Sequence, residues 1–223
     1  LVIARGDIIA FTDADCVPEL DWLEKGHRYF FGPQRVSYLV GRIALSSSHM
    51  GAESATERYE RLFSFNQAWL LKHLGFGATA NLFVRRDVLE EMGGFNPELF
   101  SAGDKELGQR ITALGLRTSY AEDSVVNHPT SNELQGRVQR EIRYVGGDFD
   151  LALLSKRNRV RTALYLTLRE LYIVLGLPWQ VIKGSRAEPL SMLAGMIGVG
   201  VTIRVARCRE ALRLGMGGKS RRA

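Results

Sequence analysis

The chain has 223 residues, 45% hydrophobic and 24% charged, with a formal net charge of +6; this describes a soluble-type globular protein, one large domain or a domain plus an appendage, and excludes a disordered or fibrous chain. Cys16 and Cys208, far apart and in unlike contexts, read as small buried or half-buried residues; they argue against a disulfide scaffold or a zinc site and for a reducing compartment. The charge is uneven: residues 1–128 carry 13 Lys+Arg against 17 Asp+Glu, net −4, and residues 129–223 carry 17 against 7, net +10.

The chain opens on Leu1 to Gly6 as though already inside an element, with no signal-peptide pattern, and is expected to be an N-terminally truncated fragment. Ile8 to Phe11 is a short apolar run with β-branched residues, bounded by Gly6-Asp7 and Pro18, which predicts a strand covered on both faces. Asp13 and Asp15 follow, and alternation puts both on one side with Ala14 on the other. Carboxylates at the C-terminal edge of an α/β sheet lie where ligands bind, and two of them suit a hard divalent cation. The same spacing recurs at Asp148-Phe-Asp150 in a polar, helix-like context without a strand ahead of it. A bare Asp-x-Asp reads as a solvated turn; the apolar run before Asp13 tips that copy toward a ligand.

Glu19 to Phe31 predicts a helix with Leu20, Leu23, His27 and Phe30 or Phe31 on one face, ended by Gly32-Pro33. Val36 to Leu45 predicts a strand, followed by the polar loop Ser46 to His49. Glu53 to Leu74 predicts one long helix whose aromatics belong to the core, and neither His49 nor His73 has a partner pattern. After Gly75-Phe-Gly77, Ala78 to Val84 predicts a strand with Asn81 in its middle, where the amide bonds either a ligand or a loop. Arg86 to Met92 predicts a short helix closed by Gly93-Gly94. Leu107, Ile111 and Leu114 mark a helix ended by Gly115, with Asp104 at its start. Asp104 serves there as an N-cap, and the helix dipole keeps it ionised, as a general base requires. Glu106 and Arg110 are an i,i+4 pair. Arg117 to Ala121 and Ser124 to Val126 are short strands. His128 after them is either structural or a third corner with Asp13 and Asp15 if the strand ends meet.

From Asn132 the pattern is helical and basic, with Arg137, Arg140, Arg143 and Tyr144. Residues 151–175 and 189–214 predict two apolar helices. The uncharged run Leu190 to Ile203 would rise about 21 Å, short of a ~30 Å hydrocarbon core, and Arg169-Glu170 interrupts the earlier helix. Interfacial or hairpin-like membrane contact therefore fits better than a clean span, with Arg204, Arg207, Arg209 and Arg213 facing headgroups; packing on the domain is the alternative. A basic half also suits nucleic acid or a phosphorylated ligand, and charge alone does not choose.

Taken together, Gly6-Asp-Ile-Ile-Ala-Phe-Thr-Asp-Ala-Asp-Cys-Val-Pro18 with Trp22-Leu23, Gly77-Ala-Thr-Ala-Asn81, Gly93-Gly-Phe95, Gly103-Asp-Lys-Glu-Leu107 and His128 resemble the family 2 glycosyltransferases over about residues 1–147. The resemblance implies an α/β, GT-A-like mixed sheet flanked by helices. It further implies first strands missing at the N-terminus and a basic helical region over 148–223. It implies inverting transfer of a sugar from a nucleoside-diphosphate-sugar to the hydroxyl of a glycan or lipid-linked acceptor, in cell-envelope or exopolysaccharide synthesis. By motif, Asp13 and Asp15 would hold Mg²⁺ or Mn²⁺ against the diphosphate, His128 would add a contact, and Asp104 would be the base. Asn81, Gly103, Glu106, Arg140 and Arg143 are the substrate-binding candidates. The expected setting is cytoplasmic, peripheral on the inner face of the membrane with its anionic surface, without a nucleic-acid partner. Two departures stand out: Gly103-Asp104 replaces the family's Glu-Asp, and Arg140-Glu-Ile-Arg-Tyr144 replaces the Gln-x-x-Arg-Trp of processive members. Two other readings stay open. One is a haloacid-dehalogenase-like phosphatase with Asp13 as nucleophile and Asp15 as acid. The other is a non-catalytic module that binds membrane surfaces.

Overall fold

The computed structural model describes residues 3–32, 35–47 and 51–221; Pro33 and His49, named above, lie outside them. In chain order the elements are β1 (Ile8–Phe11), β2 (Val17–Pro18), α1 (Trp22–Phe31), β3 (Tyr38–Ser46), α2 (Ala55–Phe63), α3 (Gln67–Leu74), a 3₁₀ turn (Thr79–Asn81), β4 (Leu82–Arg85), α4 (Arg86–Glu91), α5 (Gly103–Ala113), β5 (Thr118–Pro129), α6 (Leu134–Leu154), α7 (Arg159–Gly184) and α8 (Leu190–Gly215). They sort into two compact units, a sheet unit of Leu1–Ser46, Phe65–Glu98 and Gly103–Pro129, and a helical unit of Ser47–Ser64, Leu99–Ala102 and Thr130–Ala223. Residues 147 and 148 both lie within α6.

The sheet unit holds a mixed sheet in the order β1-β4-β3-β5-β2, in which only β3 and β5 run parallel. Alternation in β1 covers both its faces. Ile9 and Phe11 pack on Tyr38, Leu82, Val84, Leu107 and Ile111, while Ile8 and Ala10 pack on Trp22, Phe30, Leu39 and Phe83. Four sequence expectations change here. First, α1 begins at Trp22, not Glu19; it buries Trp22, Gly26 and Phe30 and leaves Leu23 and Phe31 exposed, as is Leu20 ahead of it. A Cβ on Gly26 would stand 2.4 Å from the Phe83 ring, so the i, i+4, i+8 row starting at Trp22 fits where the leucine row does not. Second, the helix expected over 53–74 is broken. Ser64 is extended, Phe65 has φ 55°, and Asn66 caps α3 by accepting from Trp69 N–H at 3.0 Å. The signals were in the sequence: Ser54-x-x-Glu57 forms a capping box at the start of α2, and Asn66 is a favourable N-cap. Third, the two short strands after Arg117 are one, β5, joined by a register shift where β3 passes from Ala121 to Val125 between Gly41 and Arg42. Fourth, residues 79–81 form a 3₁₀ turn ahead of β4, so Asn81 is not mid-strand.

The helical unit packs α2, α7 and α8 around Tyr59, Leu177, Val181, Met196 and Ile203. Its buried charges are paired. Glu170 accepts from Arg204 at 2.7 Å and Arg169 at 2.8 Å and lies 2.9 Å from Arg207 Nε; Glu141 pairs with Arg137 at 2.7 Å and with Arg207. Burial alone would raise the Glu170 pKa, but Arg207, Arg204 and Arg169 outweigh it and hold the carboxyl at about 2. Arg213 pairs with Glu210 at 2.5 Å. Arg204, Arg207 and Arg213 are thus committed to inward carboxylates and do not face headgroups as their sequence suggested, whereas Arg209 is exposed. By length and composition α8 is long enough and apolar enough to cross a membrane.

Candidate metal and base site

The apolar run of β1 stops at Phe11, and the chain reverses through a tight turn in which Cys16 N–H donates to the Asp13 carbonyl at 3.1 Å. Asp13 and Asp15 therefore sit in a turn and not on the strand, and the turn is what aims both carboxylates. It is fixed on its far side by β2, which pairs with β5 so that Val17 lies opposite Asn127. That register brings His128, the next residue of β5, alongside: its Nε2 is 3.8 Å from Asp15 Oδ2. The strand ends do meet, as a third corner required.

The His128 ring is buried, packs on Phe65 in a tilted pair with centroids 4.7 Å apart, and has Nδ1 2.8 Å from the Pro129 carbonyl. A carbonyl only accepts, so we assign a proton to Nδ1; in the neutral imidazole Nε2 then carries the lone pair, on the side that faces Asp15. Asp13, Asp15, Cys16 and His128 each offer one ligand atom, all within 4.8 Å of one another. Both carboxylates are exposed, unlike the paired ones of the helical unit. Burial first, and then the negative charges of Asp13 and Asp15, push the Cys16 thiol pKa up, against bonds to the Asp13 backbone and the Thr12 side chain. The two carboxylate oxygens and the imidazole nitrogen are a donor set that fits a hard to borderline divalent cation such as Mg²⁺ or Mn²⁺. Cys16 and Phe65 were not among the sequence candidates. Cys16 had its place directly after Asp15 as a signal; Phe65 had none, because its contact with His128 is made across the fold.

Asp104 stands in the first turn of α5, after Ala102, whose φ is 63°. Lys105 N–H donates to its Oδ1 at 2.8 Å. The backbone donors at the helix start do favour the ionised carboxyl, as expected, but burial outweighs them. Burial raises its pKa above the ordinary value, backbone donors at Lys105, Asp104 itself and Thr79 oppose this, and the charge of Asp13 adds to the rise. A more basic carboxylate is better suited to accept a proton.

Of the other candidates, Asn81, Glu106 and Arg140 have partners within the protein. Asn81 is fully buried, and its amide is spent within the protein. It accepts from Trp22 Nε1 at 2.8 Å and donates to the carbonyls of Arg42 at 2.8 Å and Ser124 at 2.9 Å. Glu106 holds Arg110 through two bonds of 2.7 and 2.8 Å, and Arg110 in turn donates to the carbonyls of Met92 and Gly94, fixing the Gly93-Gly94 turn. Gly103 begins α5 beside Phe95. Arg140 and Arg143 are on α6 in the helical unit, where Arg140 pairs with buried Glu60 at 2.7 Å and Arg143 lies over the Tyr144 ring at 5.6 Å.

A mixed sheet flanked by helices, with an Asp-x-Asp turn and a histidine at the strand ends, defines a GT-A-type architecture. The sequence model described as glycosyl transferase family group 2 matches residues 8–205, and the chain belongs to that family. Glycosyltransferase AglE of Haloferax volcanii is 34% identical over 126 residues, covering 56% of this chain and 40% of the relative. The pre-mycofactocin glycosyltransferase of Mycobacterium tuberculosis is 29% identical over 160 residues, covering 69% of this chain and 33% of the relative. The chain thus spans about two fifths and one third of these relatives. Among solved structures, the mannosyltransferase PcManGT of Pyrobaculum calidifontis, in complex with GDP-Man and Mn²⁺, superposes with a TM-score of 0.51 at 19% identity, over 94% of this chain and 62% of that one. That likeness shows the fold.

Proposed function

We propose that the protein carrying this chain is a metal-dependent, inverting glycosyltransferase. It would move a sugar from a nucleoside-diphosphate-sugar to the hydroxyl of a glycan or lipid-linked acceptor in cell-envelope synthesis. One observation carries the reading: the carboxylates of Asp13 and Asp15 and the Nε2 atom of His128 converge, within the same unit as the half-buried carboxyl of Asp104. Asp13, Asp15 and His128 would hold Mg²⁺ or Mn²⁺, which when bound supplies positive charge for the departing diphosphate. The Nδ1 bond to Pro129 and the Phe65 ring hold the imidazole in the orientation this needs. Asp104 takes the acceptor proton as the acceptor oxygen forms its bond to the anomeric carbon and the bond from that carbon to the diphosphate oxygen breaks. One displacement from the face opposite the leaving group inverts the anomeric centre. Burial suits Asp104 to this role by raising its basicity. Family membership and the PcManGT complex with GDP-Man and Mn²⁺ support the donor class and the cation.

The test is Asp104→Asn in the full-length protein. Transfer is expected to fall by ~10²–10⁴-fold while Mn²⁺-dependent nucleoside-diphosphate binding is retained. Unchanged turnover would remove Asp104 from the role of base.

A further inference from the structure

α7 is apolar on two opposite faces, and only one of them is covered. Leu166, Leu177 and Val181 are buried, whereas Leu164, Leu168, Leu171, Leu175 and Ile182 are all at least half exposed, Leu175 to 82%. Steps of four, three, four and seven residues keep these five in one stripe along most of the 26-residue helix. Tyr165, Tyr172 and Trp179, seven apart, run beside the stripe and are 60%, 78% and 65% exposed. Side chains of this kind prefer a boundary where one end is apolar and the other wet. Lys183 Nζ stands 4.7 Å over the Trp179 ring.

Charge selects the occupant. On α7, Arg161 and Lys183 are exposed cations, whereas Arg159 donates to the carbonyls of Leu214 and Gly218 and Arg169 pairs with Asp148 and with Glu170, the helix's single carboxylate, which is buried. Lys156 and Arg157 before the helix and Arg186 after it are exposed cations. A second copy docked stripe to stripe would bring these like charges together, while an anionic lipid surface neutralises them. The charged group Arg169-Glu170-Arg204-Arg207 lies near the middle of α7 and α8. In a spanning arrangement it would fall near the bilayer centre, where ionised groups are costly.

We propose that the outer face of α7 lies in the plane of an anionic membrane surface, with the Leu164 to Ile182 stripe in the acyl boundary and the flanking lysines and arginines at the phosphates. This moves the membrane contact from the α8 arginines to α7 and is independent of the transfer chemistry.

Position-specific depth tests it whether or not other segments also anchor the protein. In full-length protein with Cys16→Ser and Cys208→Ala, nitroxides are placed singly by Leu168→Cys, Leu175→Cys and Ile182→Cys. Accessibility to oxygen against a water-soluble nickel complex is then read by electron paramagnetic resonance on vesicles containing phosphatidylglycerol. All three labels are expected at one shallow depth, ~5–10 Å below the phosphates, and the Leu175 label is expected to shift toward water when Arg161→Glu and Lys183→Glu are added. Water-exposed labels on these vesicles, or depth that changes steadily from 168 to 182 as in a spanning helix, would overturn the proposal. So would spin–spin broadening that vanishes on dilution with unlabelled protein, since it would mean that a second copy covers the stripe. The labelled sites are exposed, and circular dichroism confirms that each variant folds.

Discussion

The motif Asp-x-Asp occurs twice in this chain, once in each unit, and the two copies have opposite fates. In the sheet unit Asp13 and Asp15 follow β1 in a turn, exposed, with His128 Nε2 facing them. In the helical unit Asp148 is 3.3 Å from Arg169 and Asp150 accepts from Ser220 at 2.6 Å, with Phe149 between them fully buried. The helical unit supplies its acids with arginine or hydroxyl partners from within itself; the sheet unit holds two carboxylates together without a Lys or Arg side chain among the site residues. Holding like charges together in this way suits a cation from outside.

The largest effect that would break this contrast belongs to the helical unit. Glu170→Ala leaves Arg204, Arg207 and Arg169 around an empty position, and a loss of ~3–5 kcal/mol of stability is expected in chemical denaturation; a change near zero would mean that the network is not structural. In the sheet unit the comparable buried polar centre is neutral. Trp22→Phe strands Asn81 Oδ1, and the expected loss is smaller, ~1–3 kcal/mol. A cost as large as that of Glu170→Ala would erase the difference between the units. Acid sharpens the contrast more gently. Burial alone would raise the Glu57 pKa, but bonds from Ser54, Thr130 and Ser47 overcome it and hold the pKa at about 2, beside Glu170 at about 2. Both folded values lie below the ordinary 4.5, so the stability they contribute is complete above that value and is lost as pH falls toward 2. The melting temperature is expected to drop over that window, less so in Glu57→Gln; an identical profile for Glu57→Gln would deny Glu57 its share.

Much of this was legible in the sequence. The run Ile8 to Phe11 gave its strand, Gly93-Gly94 and Gly115 gave left-handed stops with φ of 70°, 74° and 71°, and Asp13, Asp15 and His128, expected to meet if the strand ends did, lie together. What escaped was set by contacts distant in sequence. For Asn81 a ligand and a structural bond stood equal until Trp22, Arg42 and Ser124 were seen to use its amide. The α1 face was misjudged because Gly26 is chosen by the Phe83 ring it touches. Periodicity ran through Phe65 because local pattern carries no record of a left-handed residue, and Arg204 and Arg207 looked like headgroup ligands because their partners Glu141 and Glu170 lie on other helices.

The measurement closest to the central claim uses the two motifs as each other's control. Mn²⁺ binding to the full-length protein is followed by electron paramagnetic resonance with a nucleoside diphosphate present, in Asp15→Asn and in Asp150→Asn. Affinity is expected to fall by at least ~10-fold in Asp15→Asn and to stay at the wild-type value in Asp150→Asn. Equal affinity in Asp15→Asn and the wild type, or an equal loss in both variants, would contradict the assignment of the cation to the turn at Asp13 and Asp15.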